Sequence, residues 1–284
     1  MQKYKYPSVL TIAGFDGSGG AGIQADIKTF SALGCYATSV LTALPVQNTQ
    51  GVRNIYEIPP AAVEEQLIAI LDDVFPSAIK IGMVHTVELV DIIVNTLSRY
   101  DKVPIVFDPV MVSTSGHHLI KNDTIRSIKE KLIPFSDLIT PNMDEAALLA
   151  EMPVHDVEDM IAANSVIREF GCRNILLKGG HQASSLITSL FIDAQNKIHR
   201  FETEKFDTNN THGSGCTLSS AIAAFIAMGK SLPDAVALGQ DYVFKAIESG
   251  KDVVTGKGNG PLNHFFNPQP LIKNELVKQS MEQY

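Results

Sequence analysis

The stretch SVLTIAGFDGSGGAGIQAD, residues 8–26, decides the fold. It opens with an apolar run of strand length, residues 9–13. Five glycines follow between positions 14 and 22, and residues 22–33 then carry a helical pattern. Glycine lets a backbone turn sharply, so the cluster reads as a tight strand-to-helix turn. The same alternation repeats along the chain. Residues 37–44, 78–82, 105–108, 138–140 and 174–178 read as strands, and residues 61–74, 87–100, 124–132, 144–152 and 157–170 as helices between them. Such repetition predicts an α/β fold with a mostly parallel sheet covered by helices on both faces. Two-sided burial explains why the strands are continuous apolar runs.

Beyond residue 178 the pattern changes. Residues 189–192 and 197–202 flank a short polar turn, which predicts an antiparallel hairpin, and two alanine-rich helices follow at 216–228 and 233–249. No linker, repeat or low-complexity segment divides the chain. One domain is therefore expected over residues 1–270, with a polar tail over 271–284 that frays.

Composition narrows the class. The chain has 284 residues, 45% hydrophobic, enough for a sizeable core. A net charge of −8 disfavours nucleic acid as a partner. Cys35, Cys172 and Cys216 are widely spaced with no C-x-x-C, so neither a disulfide framework nor a zinc site is suggested. The N-terminal MQKYKYPSV lacks a signal-peptide pattern, and no apolar stretch approaches the ~20 residues that span a bilayer. The expectation is a cytoplasmic globular protein with no membrane partner.

Ligands of parallel sheets bind where strands end and loops lead into helices. The segments Gly14-Phe15-Asp16, Pro45-Val46-Gln47-Asn48, Gly82-Met83, Asp108-Pro109-Val110, Pro141-Asn142 and Gly179-Gly180-His181 are such loop starts, expected to form one mouth. The first of them satisfies G-x-G-x-x-G with Gly17, Gly19 and Gly22. A dinucleotide site also needs an acidic residue about 20 positions later to hold a ribose. Between Asp26 and Glu57 there is none, and no G-K-[ST] follows for a phosphate loop of the Walker type. Those tests leave a tight packing turn, or a close backbone approach to some other ligand.

A second cluster, NNTHGSGCTLSS at 209–220, leads directly into a helix. Gly213, Ser214, Gly215 and Cys216 then lie where unpaired N–H groups and the positive dipole end favour an anion. The same position is expected to lower the Cys216 pKa and make it a proton acceptor. A small-residue cap around a structural cysteine is the other reading. In TPNMDEA, Asn142 and Glu145 stand three apart at a helix start. They suit either a helix cap or water-mediated Mg²⁺ binding beside a phosphate.

Taken in order, these segments resemble the ribokinase-like superfamily, and within it the hydroxymethylpyrimidine/phosphomethylpyrimidine kinases of thiamine biosynthesis. The matching stretches are TIAGFDGSGGAGIQADIKTFSALG, TALPVQNTQGV, KIGM, ITPNMDEA, LLKGGH, NTHGSGCTLSSAIAA and GKGNGP, spread over nearly the whole chain. The resemblance implies a three-layer α/β/α sandwich. It also implies an ATP- and Mg²⁺-dependent kinase acting on 4-amino-5-hydroxymethyl-2-methylpyrimidine and then on its monophosphate. On this resemblance Gly14, Ala21, Asp26, Gln47, Met83 and Val110 hold the pyrimidine. Gly213, Ser214 and Gly215 form the anion hole, with Cys216 as catalytic base. Asp108, Asn142 and Glu145 position the nucleotide's phosphates, Asp108 and Glu145 hold Mg²⁺, and Lys178 reaches the triphosphate. A homodimer is implied as well. Phe15, Gly17 and Asn263 depart from the family's usual residues. The competing readings are a pyridoxal or pyridoxine kinase of the same superfamily, a non-catalytic ligand-binding relative, and a nicotinamide-dependent dehydrogenase weakened by the missing ribose carboxylate.

Overall fold

A computed structural model describes residues 3–111, 120–179 and 185–276. The chain begins with a short strand β1 (Tyr4–Lys5), then β2 (Ser8–Ala13), α1 (Gly22–Ala32) and β3 (Tyr36–Leu41). A hairpin of β4 (Ala43–Asn48) and β5 (Gly51–Glu57) follows, and then α2 (Pro60–Asp73), β6 (Ala78–Ile81), α3 (Val87–Leu97) and β7 (Ile105–Phe107). Next come α4 (Asn122–Ser127), a π-helical turn (Ile128–Leu132) and α5 (Ile133–Phe135), which lead to β8 (Leu138–Ile139), α6 (Met143–Ala150), α7 (Val157–Arg168) and β9 (Ile175–Leu177). The last part holds β10 (Leu186–Ile192), β11 (Ile198–Glu204), α8 (Ser214–Ala227), α9 (Leu232–Gly250) and β12 (Asn274–Glu275).

The central sheet has the order β11-β10-β9-β8-β7-β6-β2-β3. It is parallel from β3 to β9 and antiparallel at β10 and β11. Successive strand residues point to opposite faces. Leu10, Ile12, Ile79, Ile81, Ile105, Phe107, Ile139, Ile175 and Leu177 therefore pack with α2, α3, α6 and α7. Val9, Ala78, Val106, Leu138 and Leu176 pack on the other side against α1, α8 and α9. Each such Leu or Ile contributes roughly 2 kcal/mol by leaving water.

Two parts of the sequence reading change. The expected strand over 37–44 is broken at Thr42, whose N–H donates to the Ala13 carbonyl and whose hydroxyl donates to the Met83 carbonyl. The chain then leaves the sheet as the β4–β5 hairpin, so Gln47 lies on a strand rather than a loop start. The tail expected to fray from residue 271 is instead docked as far as residue 276. Ile272 N–H donates to the Gly34 carbonyl, and β12 pairs with β1. Residues 277–284 lie outside the described residues, as do Gly180 and His181 of the expected mouth.

Candidate active site

On the face of the sheet that meets α1 and α8, each central strand carries a polar residue two positions beyond its apolar one. Val9 is followed by Thr11, Ala78 by Lys80, Val106 by Asp108, Leu138 by Thr140 and Leu176 by Lys178. The side-chain period of two carries a strand's face forward, so this polar row lies beneath the N-terminal end of α8. Lys178 Nζ donates to Asp108 Oδ1 at 2.7 Å and stands 3.8 Å from Glu145 Oε2. Thr140 Oγ1 donates to Asp108 Oδ1 at 2.9 Å, and Ser219 Oγ of α8 to Asp108 Oδ2 at 3.3 Å. A Cβ on Gly215 would lie 3.2 Å from Lys178 Nζ and 3.6 Å from Asp108 Oδ2. The helix terminus, a lysine and a carboxylate thus meet at one point.

Burial resists ionisation of Asp108, but Lys178 and Lys80 outweigh it and hold the carboxyl below its ordinary range. Burial also disfavours a charged Lys178, yet Asp108 and Glu145 raise its pKa. Glu145 goes the other way. Burial pushes it up to about 7, with Asp108 adding and Lys178 opposing. The helix-cap reading of Asn142 and Glu145 is present in full: Glu145 N–H donates to Asn142 Oδ1, and Asn142 N–H to Glu145 Oε2, both at 2.8 Å.

The residues expected to hold the pyrimidine lie at the other lip. A Cβ on Gly14 would sit 3.5 Å from Met83 Sδ, and one on Gly17 3.8 Å from the Gln47 carbonyl oxygen. Ala21 N–H donates to Asp16 Oδ2 at 2.7 Å, and the Gln47 side chain bonds the same carboxylate. Val110 follows Asp108 by two residues, its N–H donating to the Asp108 carbonyl. The two glycine clusters press on each other. Gly213 caps α8 with φ +82°, and a Cβ there would lie 1.7 Å from the Gly20 carbonyl oxygen. Only glycine meets both conditions.

Two expectations need correction. Asp26 does not face the mouth: it is 0% exposed. Its carboxylate takes Lys80 Nζ at 2.8 and 3.0 Å, Thr11 Oγ1 at 2.5 Å and Ser220 Oγ at 2.7 Å. Those four bonds leave it no edge to offer a ring. The Cys216 pKa is not lowered by the helix end. Burial pushes the thiol up to about 11 and Asp26 and Asp108 add to the rise, against Lys80 and a bond from Gly22 N–H. Loss of water and two buried carboxylates outweigh the positive helix end.

Asp16 was marked in the sequence only as part of a loop start, and Lys80, Thr217 and His264 were not marked at all. Asp16 accepts from Ser18 N–H, Gly20 N–H and Ala21 N–H and pairs with His212 Nε2 at 2.9 Å, so it ties the first glycine loop to the segment before α8. Lys80 is 0% exposed, and the charge inside its AIKI strand was the available signal. Thr217 Oγ1 meets His264 Nε2 at 3.1 Å beneath the same helix turn.

The crossing of a mostly parallel sheet by a glycine-capped helix over a lysine–aspartate pair defines an α/β kinase of the ribokinase-like class. Solved structures agree. A phosphomethylpyrimidine kinase from Clostridium difficile is 39% identical with a TM-score of 0.75, over 84% of this chain and 99% of that one. A Bacillus subtilis pyridoxal kinase, solved as an ADP complex, is 31% identical with a TM-score of 0.84, over 92% and 98%. Residues 16–263 match the model of the phosphomethylpyrimidine kinase family, and the chain belongs to that family. A hydroxymethylpyrimidine/phosphomethylpyrimidine kinase of Staphylococcus aureus is 37% identical over 95% of this chain and 98% of its own length. The thiamine biosynthesis bifunctional protein ThiED of Geobacter sulfurreducens is 42% identical over 91% of this chain but only 52% of its own. The chain thus spans about half the length of that bifunctional relative.

Proposed function

We propose that the chain is an ATP-dependent kinase that phosphorylates the hydroxymethyl group of 4-amino-5-hydroxymethyl-2-methylpyrimidine, and then the resulting monophosphate. The observation that carries this reading is the contact between the two glycine loops, Gly213 on Gly20. It sets the pyrimidine lip directly beside the anion-favouring helix terminus with Lys178 and Asp108 below. Transfer between a planar hydroxymethyl compound and a triphosphate needs that adjacency, because phosphoryl transfer is mostly positioning and charge neutralisation.

Gly14, Ala21, Met83 and Val110 would lie against the flat ring, and Gln47, held by Asp16, would offer a donor and an acceptor to its edge. At this terminus the Ser214 N–H already donates to the Thr211 carbonyl at 3.1 Å, so the transferred phosphoryl group would be met by Gly213 and Gly215 N–H groups, with Ser214 shaping the turn. Lys178 balances its charge, with Asn142 beside it. Cys216 accepts the hydroxyl proton. Burial keeps the free thiol protonated at neutral pH, so only a small thiolate fraction serves. A loose transition state asks little prior activation of the hydroxyl. The hard oxygen donors of Asp108 and Glu145, two carboxylates flanking one lysine, suit Mg²⁺, which binds through few carboxylates and keeps much of its water. Those two residues would hold it, and it supplies charge neutralisation on the phosphates. The family resemblance further supports a cytoplasmic homodimer, which sedimentation would test.

ADP release is the test, measured with the pyrimidine, its monophosphate and pyridoxal. Release with the first two and much less with pyridoxal is expected; release with none overturns the kinase reading. Cys216→Ala is expected to lose at least a hundredfold in kcat with KM within threefold. An unchanged kcat removes Cys216 as the base.

A further inference from the structure

The fully buried pair Lys80–Asp26 takes no part in the steps above. An ion pair in a core is a weak source of stability, because desolvation offsets much of its attraction. Its position is more informative. On α1, Gly22 and Asp26 are four residues apart and face the same way; on α8, Cys216 and Ser220 are likewise four apart. The two helices meet by two rungs. In the upper rung Gly22 N–H points at the Cys216 sulfur, and in the lower Ser220 Oγ donates to Asp26 Oδ1 at 2.7 Å. Lys80 enters from β6 beside the lower rung, its ammonium 2.8 Å from Asp26 Oδ2. Thr11 of β2 fixes the same carboxylate from below. The ammonium also packs close to the Gly82 backbone, where a Cβ would lie 2.9 Å from it.

We propose that Lys80, anchored by Asp26, is a positioning residue for Cys216: it is the fixed counter-charge of the thiolate that forms when Cys216 gives up or passes on its proton. The charged groups that act on the sulfur are Lys80 from β6, Asp26 from α1, Asp108 after β7 and Lys178 after β9. Both cations are paired, Lys178 with Asp108 at 2.7 Å and Lys80 with Asp26 at 2.8 Å, and Lys80 is the one whose field favours the thiolate. Asp26 holds that cation in place and partly offsets it. Removal of either partner should therefore move the thiol in opposite directions, whereas damage to packing would move both variants alike.

The catalytic meaning of this pair rests on the function proposed above, but its test does not. The rate of iodoacetamide alkylation at Cys216 is followed against pH by mass spectrometry of the intact chain without substrates. The thiolate is the reacting form. Cys35 and Cys172 are each 1% exposed and serve as internal controls for unfolding. Lys80→Met is expected to slow Cys216 alkylation at pH 8 by about tenfold, the effect of a one-unit rise in thiol pKa. Asp26→Asn is expected to accelerate it severalfold. If either single variant does not fold, as alkylation of Cys35 would reveal, the uncharged pair Lys80→Met/Asp26→Leu replaces it and is expected to be slower than the wild type. Shifts of both single variants in the same direction, or a wild-type rate in the folded double variant, overturn the proposal. If these shifts occur but the kinase assay fails with every substrate, the thiol device stands and the catalytic assignment falls.

Discussion

At position 16 a carboxylate that is 1% exposed accepts three backbone N–H groups of the first glycine loop, while His212 and Gln47 approach it from two other segments. Burial raises its proton affinity, but the bonds from His212, Ser18, Gln47 and Ala21 prevail and hold it far below the ordinary carboxylate range. Asp16→Asn keeps the shape and removes the charge. Each hydrogen bond to a charged group is worth about 1.5–3 kcal/mol, so loosening one or two should raise the pyrimidine KM by about tenfold to a hundredfold. The ATP KM should rise less, because the pyrimidine lip is built on this loop itself, whereas the α8 terminus only packs against it. Steady-state kinetics with each substrate varied in turn checks this; equal rises in both KM values would mean that Asp16 supports only the fold.

At the scale of elements, the β4–β5 hairpin carries Gln47 away from the sheet and is then tied back. Lys257 and Gly258 N–H groups donate to Thr49 Oγ1, both at 3.2 Å, and Asn259 N–H donates to the Thr49 carbonyl at 2.9 Å. A Cβ on Gly258 would sit 2.0 Å from that carbonyl oxygen, which accounts for a glycine in GKGNGP. The same segment reaches the helix terminus, since His212 N–H donates to the Gly260 carbonyl. Thr49→Val removes the hydroxyl at nearly constant size. It is expected to raise the pyrimidine KM about threefold to tenfold with kcat little changed, and to speed limited proteolysis within 43–57. A hairpin as resistant to protease as the wild type, with unchanged KM, would show that the strap is not needed to seat Gln47.

Across the whole molecule, Glu145 gives a pH dependence with a defined sign. Its pKa is near 7 in the folded protein, above the 4.5 of an ordinary glutamate. The folded state therefore binds more protons than the unfolded chain between those values. Its contribution is fully present below about pH 4.5 and is lost as pH rises through about 7. In urea unfolding of the free protein, wild type should lose on the order of 2 kcal/mol relative to Glu145→Gln between pH 5 and pH 8. Parallel curves for the two proteins would refute the assignment. Substrate binding should change this balance, since Lys178 is shared between Asp108 and Glu145.

Period and punctuation in the sequence determined the sheet, its parallel order and both glycine turns, because those depend on local residue patterns: apolar runs, helical spacing and the backbone freedom of glycine. They also marked Asp108 and Asn142 as loop-start residues and Glu145 at a helix start, while Lys178 entered through the family resemblance. The sequence by itself did not determine what Asp26 and Cys216 face. Asp26 reads as an open acidic side chain on an N-terminal helix, yet Lys80, 54 residues away, and Ser220, 194 residues away, enclose it. Cys216 reads as a thiol at a positive helix end, yet loss of water and two remote carboxylates raise its proton affinity. Charge–charge energies depend on distances and burial that only the folded chain sets. The tertiary structure alone therefore decided that the first glycine turn is pinned by Asp16 onto the second, and that a lysine hidden in an apolar strand stands beneath the cysteine at their junction.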